Sequence, residues 1–140
     1  MEQQSPFPRI INFEETTDLC LQFEKRNGLL PVIIQESTSR QVLMLAYTNK
    51  LAFEMTVERG IACFWSTSRE NIWIKGETSG NTLRIEAILV DCDQDALIYQ
   101  VSINRDGVCH TISLSGKNRK ACFYRAYSSK NELKFINNMK

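Results

Sequence analysis

The sequence has no long apolar run, no excess of either charge and a single histidine, His110. Its longest apolar stretches, 29–34 and 42–47, fall far short of the roughly 18 residues that a membrane-spanning helix needs. Seventeen basic and 16 acidic residues leave a formal net charge of +1. The whole molecule therefore has no field that would attract nucleic acid or anionic lipid, and neither is expected as a partner.

The sequence also shows neither the cysteine pattern of a disulfide framework nor a recognisable export signal. Five cysteines make an odd count at irregular spacing, which argues against disulfides. Residues 1–11 contain two prolines and no apolar stretch after a basic start, so they do not resemble a secretory signal. We expect a cytoplasmic protein with reduced thiols that are free to bind metal.

The length and composition are typical of one globular domain. Hydrophobic residues make up 43% of the chain and charged residues 24%, which is enough to bury a core. We expect a single domain over 1–140. It would include an N-terminal extension at 1–27, with a possible helix over 14–25, and a polar tail over 128–140.

Strand patterns dominate the middle of the chain. Apolar and β-branched runs at 31–36 and 41–48 flank a polar turn and predict a hairpin. Asn49 can cap a helix over 50–59, which Gly60 would end. Further elements are predicted as strands over 61–66, 71–75, 82–90, 96–103 and 121–125, and as a polar loop over 113–120. The fold class is therefore α+β and predominantly β.

Three carboxylates occur at alternating positions directly after a predicted strand, at Asp91, Asp93 and Asp95. Alternate side chains of an extended chain share a face, so these carboxylates can converge while Cys92 points the other way. Oxygen ligands suit a hard ion such as Mg²⁺, and a thiolate suits Zn²⁺. An EF-hand is excluded because the glycine and glutamate of its sixth and twelfth positions are absent. An acidic turn left in solvent is the alternative.

Three cysteines are candidate metal ligands: Cys92, Cys109 and Cys122, which are separated by 17 and 13 positions. Such spacing does not give the close pairs of a structural zinc finger. Three thiolates from separate strands would leave an open position on a zinc ion, as catalytic sites do, but spacing alone does not show that they gather.

His110 is the sole candidate for imidazole chemistry near neutral pH. A hydrogen-bonded core histidine is the alternative.

A polar loop over 75–81 starts with a lysine and has glycines on both sides of hydroxyl groups. Glycines let backbone amides approach an anion, so the loop can hold a phosphate. It is not a Walker loop, and an elaborate hairpin turn is an equal alternative. Nearby aromatic residues and an arginine can bind a base and a phosphate, or simply form core. The candidate substrate-binding residues are Ser66, Arg69, Trp73, Lys75, Gly76, Glu77, Thr78, Ser79, Gly80 and Asn81.

Taken in order, these segments resemble the phosphoribosyl-AMP cyclohydrolase family over about residues 28–127. The matching motifs are GLLPV at 28–32, VLMLAY at 42–47, FWS at 64–66, KGETSGN at 75–81, DCDQD at 91–95, CHT at 109–111 and CFYR at 122–125. The resemblance implies a compact mixed-sheet pseudo-barrel with one or two short helices, assembled as an intertwined homodimer.

The resemblance also implies metal ions and a reaction. Three cysteines drawn from both subunits would bind one Zn²⁺ per subunit, and three aspartates would bind Mg²⁺. These ligands are Cys92 of one chain with Cys109 and Cys122 of the other, and Asp91, Asp93 and Asp95. Zinc-activated water would hydrolyse the N1–C6 bond of the adenine in 1-(5-phosphoribosyl)-AMP. The product is the phosphoribosyl-formimino-aminoimidazole carboxamide ribotide of L-histidine biosynthesis. We assign proton transfer to His110 as a hypothesis.

Three positions depart from the pattern of the family. Thr67 stands where an arginine is usual, and Ile112 stands where a glycine usually follows Cys-His-Thr. The loop before Cys122 is several residues longer than usual and carries three basic residues, which can replace the lost charge. Two alternatives stay open: a divergent zinc hydrolase acting on another purine nucleotide, and a noncatalytic zinc-binding module.

Overall fold

The computed structural model describes residues 12–140, which are mostly β-strand with one α-helix. In chain order the elements are the 3₁₀-helix η1 (Glu24–Arg26), β1 (Leu30–Glu36), β2 (Val42–Thr48), α1 (Lys50–Arg59), β3 (Cys63–Ser66), β4 (Asn71–Ile74), β5 (Leu83–Val90), β6 (Leu97–Ile103), β7 (Arg125–Ser128) and β8 (Glu132–Phe135). None of the helices in these residues combines the length and apolarity needed to cross a bilayer.

The predicted β1–β2 hairpin and helix α1 are confirmed. β1 and β2 pair antiparallel on either side of the turn 37–40. Asn49 Oδ1 accepts a 2.8 Å hydrogen bond from the Ala52 amide at the start of α1, and Gly60 ends the helix with a φ of 70°. Because this cap satisfies an amide that has no partner inside the helix, it stabilises α1 by about 1 kcal/mol.

Six strands form one mixed sheet in the order β4-β3-β2-β1-β6-β5, in which β1 and β6 pair parallel and the other neighbours antiparallel. The sheet curls until the residues before β3 reach β5. There the Ala62 amide donates to the Leu83 carbonyl and the Ile85 amide to the Gly60 carbonyl, both at 2.9 Å. Apolar side chains such as Phe64 fill the resulting half-barrel. The predicted pseudo-barrel is confirmed.

The helix predicted over 14–25 is wrong, since the only helical turn there is the three-residue η1. Its apolar periodicity is weak, and its amides find partners elsewhere. The Cys20 amide donates to Gln94 Oε1 at 2.6 Å, and the Gln22 amide donates to the Gln94 carbonyl at 2.8 Å. These bonds to a distant turn replace the bonds that a helix would make.

The strand predicted over 121–125 is displaced, because the strand observed there, β7, spans Arg125–Ser128. It pairs antiparallel with β8, which lies inside the segment predicted as a polar tail. This hairpin forms a sheet of its own, and all four residues of β8 are exposed. The two strands therefore lack the apolar run that marks a buried strand in a sequence.

Candidate active site

The segment that carries Cys109 is held against the segment that leads to Cys122. The Cys109 amide donates to the Arg119 carbonyl at 3.0 Å. A Cβ atom at Gly107 would lie 2.4 Å from the same carbonyl oxygen, a distance at which the two backbones would have to separate. The missing side chain at Gly107 therefore permits this close approach.

The thiols of Cys109 and Cys122 meet as a result. The Cys122 amide donates to the Leu43 carbonyl on β2 at 2.7 Å, which fixes its backbone to the main sheet. The two thiols lie close enough for each to change the pKa of the other; we call Cys109 and Cys122 the sulfur pair. Two of the three candidate zinc-binding cysteines are thus brought together in one chain.

The two thiols ionise differently. Burial raises the pKa of the Cys109 thiol, but hydrogen bonds from Thr111, together with Cys122 and the charge of Arg119, outweigh it and the net pKa is lowered. These bonds join Cys109 Sγ to the Thr111 hydroxyl at 2.9 Å and to the Thr111 amide at 3.4 Å. Although Cys122 as a whole is exposed, partial desolvation of its thiol and the neighbouring Cys109 raise the pKa of Cys122 to about 11. Cys109 is therefore the first of the pair to become a thiolate.

Lys75, at the start of the loop 75–81, lies near enough to the sulfur pair to feel its charge. Burial lowers the pKa of its ammonium group, while the nearby Cys122 and Cys109 act in the opposite direction. Its Nζ also lies 5.8 Å from the centre of the Trp73 ring. The loop thus delivers a partly buried cation to the place where two soft ligands converge.

The loop 75–81 closes on itself and presents its tip to solvent. The Gly80 amide donates to the Gly76 carbonyl at 2.8 Å, and Gly76 has a φ of 79°. Asn81 is buried, and its Oδ1 accepts a 3.3 Å bond from the Asp106 amide. Residues 77–79 at the tip are exposed. The loop is anchored at Asn81 and has exposed hydroxyl and carboxylate groups at its tip.

Ser66 ends β3 and Arg69 lies in the turn that follows, where Ser66 Oγ accepts a 3.1 Å bond from the Arg69 amide. Ser66 pairs with Asn71 at the start of β4, whereas Lys75 follows the end of that strand. Four strand residues separate the two groups by about 13 Å. The structure therefore does not place Ser66 and Arg69 beside the loop within one chain. Trp73 lies between them, half-buried against the core.

The carboxylates of Asp91, Asp93 and Asp95 do converge, with one ligand oxygen of each within 4.8 Å of the others. They converge through a turn, however, so the extended geometry expected from their alternation is wrong. Gln94 has a φ of 59°, and Asp91 Oδ1 accepts bonds from the amides of Asp95 at 2.9 Å and Ala96 at 3.1 Å. We call this set of three carboxylates the acidic cluster; its hard oxygen donors fit a divalent cation.

Two cations that the sequence did not reveal contact the acidic cluster. Lys25 Nζ lies 2.8 Å from Asp95 Oδ2 and 3.3 Å from Asp93 Oδ2, and Arg26 Nη2 lies 3.0 Å from Asp95 Oδ2. The bond from Lys25, with others from its neighbours, holds the pKa of Asp95 well below its usual range. Desolvation raises the pKa of Asp91. No local pattern could have indicated a contact across some 70 positions of sequence.

Cys92 and His110 lie outside the sulfur pair. Cys92 is exposed in the acidic turn, and the only three-residue metal-type cluster within residues 12–140 is that of the aspartates. A single chain therefore supplies two soft ligands to one place, which fits zinc if another chain supplies a third. His110 follows Cys109 directly and is exposed, so the alternative of a core histidine is wrong.

A half-barrel that carries paired thiols and clustered carboxylates on its connecting segments defines a candidate metalloenzyme. The family model described as phosphoribosyl-AMP cyclohydrolase matches residues 44–124. The chain is 48% identical to the phosphoribosyl-AMP cyclohydrolase of Desulfotalea psychrophila over 106 residues, or 75% of this chain and 79% of that protein. The enzyme of the same name from Chlorobium chlorochromatii is 40% identical over 130 residues, or 91% and 90%.

A longer relative is the histidine biosynthesis bifunctional protein HisIE of Caldanaerobacter subterraneus. It is 45% identical over 112 residues, which are 80% of this chain and 51% of that protein. The chain belongs to the phosphoribosyl-AMP cyclohydrolase family.

The Thr111 hydrogen bonds give a first prediction. Replacing Thr111 with valine keeps the shape of the side chain but removes the hydroxyl, so the pKa of Cys109 should rise. In metal-free protein, thiolate absorbance near 240 nm measured against pH, as the difference from the matching Cys109→Ser protein, reports this titration. Ser113→Ala removes a hydroxyl that bonds to Ser115 and Lys117 instead and should leave the curve unchanged. An unaltered curve in Thr111→Val would contradict the assignment.

Proposed function

We propose that this chain hydrolyses the N1–C6 bond of the adenine ring in 1-(5-phosphoribosyl)-AMP, a step of L-histidine biosynthesis. It would thus be a hydrolase of a C–N bond in a cyclic amidine, acting on a small phosphorylated nucleotide. The family match spans the loop 75–81, the acidic cluster and both paired cysteines. The observation that carries the proposal is the approach of the Cys109 and Cys122 thiols near Lys75, on segments that backbone bonds to Arg119 and Leu43 hold in place. A cytoplasmic location agrees with five free cysteines.

The proposed zinc ligands are Cys109 and Cys122 of one subunit and Cys92 of the partner subunit, with one zinc ion per subunit. The sulfur pair supplies two soft donors, and exposed Cys92 is free to meet another chain. Zinc bound there would supply Lewis-acid chemistry that lowers the pKa of water toward about 7. Because three protein ligands leave a coordination position open, this donor set suits a catalytic rather than a structural site.

The proposed assembly is an intertwined homodimer, and it is supported by several large apolar side chains that are exposed in the single chain. Apolar surface in contact with water gains free energy when a partner covers it. Exposed apolar residues occur on β2, on the segments flanking Cys122 and on the β7–β8 hairpin. They are Leu45, Tyr47, Ile112, Leu114, Phe123, Tyr127, Leu133 and Phe135. A second copy that covers them would also bring a third sulfur to the pair.

We assign Mg²⁺ to the acidic cluster. Three convergent carboxylates supply the hard oxygen ligands that Mg²⁺ prefers, and water molecules complete its octahedral geometry. Lys25 provides indirect support, since its ammonium group already lies between two of the three carboxylates as a monovalent cation would.

In the proposed reaction a water oxygen bonds to C6, the N1–C6 bond breaks and N1 gains a proton. Ribose on N1 makes the ring cationic, so C6 is open to attack. Lys75 and the donors at the tip of the loop 75–81 would hold one phosphate, and Ser66 with Arg69 would hold the other. Two separate groups of donors suit a substrate with a phosphate on each ribose. His110, exposed beside Cys109, would transfer the proton.

The direct test is turnover of 1-(5-phosphoribosyl)-AMP by the purified, zinc-loaded protein, followed by the ultraviolet absorbance of the ring-opened product. We expect ring opening that chelation abolishes and added zinc restores. Cys109→Ser should remove both zinc and activity, whereas Cys20→Ser, a cysteine outside the site, should retain both. Full zinc loading without turnover would reject this substrate and favour another purine nucleotide.

The role of His110 makes a separate prediction. His110→Ala should lower kcat by about 100-fold or more, the range expected for losing a general acid or base. Zinc content, measured by elemental analysis, should stay at the wild-type level, because the side chain is exposed and is not a proposed ligand. His110→Asn should behave in the same way. A kcat close to that of the wild type would rule out proton transfer by this residue.

The shared zinc site can be tested by mixing two inactive proteins. Cys92→Ser and Cys109→Ser should each lack zinc, because every site in either homodimer loses a ligand. When the two are unfolded together and refolded, half of the dimers become heterodimers with one intact site. Zinc content and activity should recover to about one quarter of the wild-type level. No recovery, with heterodimers demonstrated by mass spectrometry, would mean that the ligands do not come from two subunits.

A further inference from the structure

The segment 18–26, here called the strap, is fixed to the acidic turn by Gln94. Gln94 is buried, and its side chain accepts a 2.6 Å bond from the Cys20 amide and donates a 3.1 Å bond to the Asp18 carbonyl. Its carbonyl accepts a 2.8 Å bond from the Gln22 amide. Three bonds from one residue place the end of the strap over the carboxylates. Lys25 and Arg26 therefore reach the acidic cluster from a defined position.

The strap neutralises most of the charge of the acidic cluster. Three carboxylates carry three negative charges, and Lys25 and Arg26 bring two positive charges within 3.3 Å of their oxygens. Asp95 Oδ2 accepts from both cations. An oxygen engaged in this way is not free to bind a metal ion at the roughly 2.0–2.6 Å that Mg²⁺ or Ca²⁺ requires.

We propose that Lys25 and Arg26 compete with the divalent cation and thereby determine the affinity of the acidic cluster for it. A divalent ion bound among these oxygens would lie close to the Lys25 ammonium group, and like charges at that separation repel. The ion must therefore displace Lys25, and its affinity is reduced by the strength of the pairing that it replaces. The inference rests on the proposed Mg²⁺ role of the acidic cluster and adds the residues that control it.

The two side chains can leave without unfolding the strap. Lys25 and Arg26 are about half exposed, at 51% and 50% of their side-chain surface. A groove of about 540 Å³ lies between the strap and α1. The backbone of the strap stays in place meanwhile, because Leu21 packs against the core and Gln94 bonds to the Cys20 amide. The competition therefore requires only that two flexible side chains swing into solvent.

The test measures Mn²⁺ binding by electron paramagnetic resonance of the free ion, without substrate. The fraction that excess Mg²⁺ displaces belongs to oxygen ligands, because thiolates do not favour Mg²⁺. Lys25→Gln and Arg26→Gln should each tighten this fraction by about 3- to 5-fold, and the double variant by about 10-fold. Lys25→Arg keeps the charge and should remain near the wild type. Lys130→Gln removes an exposed lysine from the β7–β8 turn and controls for net charge.

Equal affinities in all these proteins, or weaker binding in the glutamine variants, would overturn the competition while leaving the cation site in place. Absence of Mg²⁺-displaceable binding in every protein would overturn both. Turnover of the nucleotide is measured separately, so failure of the proposed hydrolysis would not be confused with either result.

The wild-type protein provides a second measurement that needs no variant. If Mg²⁺ displaces the Lys25 ammonium from its carboxylates, acetylation of Lys25 by N-hydroxysuccinimide acetate should become at least about 2-fold faster when Mg²⁺ is added. Peptide mass spectrometry reports each lysine separately, and Lys130 serves as the internal reference. An acetylation rate at Lys25 that does not respond to saturating Mg²⁺ would contradict the proposal.

Discussion

The close passage of Gly107 against the backbone of Arg119 is the contact on which the sulfur pair depends. A Cβ atom would lie 2.4 Å from that carbonyl oxygen, so any other residue would separate the chain segments that carry Cys109 and Cys122. Lys120 strengthens the arrangement through a 2.7 Å ion pair with Glu36 at the end of β1. The Cys122 amide then bonds to β2. One glycine thus lets two irregular segments take their positions from the rigid sheet.

The two candidate metal sites control charge in different ways. Where soft sulfur ligands meet, hydrogen bonds from Thr111 favour one thiolate, and Lys75 supplies a nearby positive charge. Where hard oxygen ligands meet, the protein supplies two cations from its N-terminal segment. Both devices limit the repulsion that would arise if like-charged ligands were assembled before the ion arrives. In each case the compensating residues lie outside the strands, while the curled sheet only sets the spacing.

Local chemistry explains which parts of the fold could be predicted. Asn49 and Gly60 mark the ends of α1, and the run from 30 to 48 shows its turn plainly, because each signal lies within a few residues of its effect. The helix predicted over 14–25 does not form, because Gln94, which is distant in sequence, bonds to the backbone amides of the strap. β8 was missed because an exposed hairpin needs no apolar run. The three aspartates could be grouped because they are neighbours in the sequence. Their contact with Lys25 could not be predicted, because it joins residues far apart in the sequence. The resemblance of the sequence motifs to those of the family, rather than any periodicity of apolar residues, indicated that Cys109 and Cys122 belong to one site.

The loop before Cys122 closes through its own backbone over residues 112–118. Ile112 bridges to Asn118, and the Ser113 amide donates to the Lys117 carbonyl at 2.9 Å. The loop also touches the C-terminus, where the Leu114 amide donates to the Lys140 carbonyl at 3.2 Å. The stem of the loop, rather than its tip, sets the separation of the segments that carry Cys109 and Cys122. Because the entropy of closing a loop grows only logarithmically with its length, the tip can accept additional residues at little cost. Ser115 and Gly116, both exposed at the tip, are therefore positions where an insertion should leave the separation of Cys109 and Cys122 unchanged.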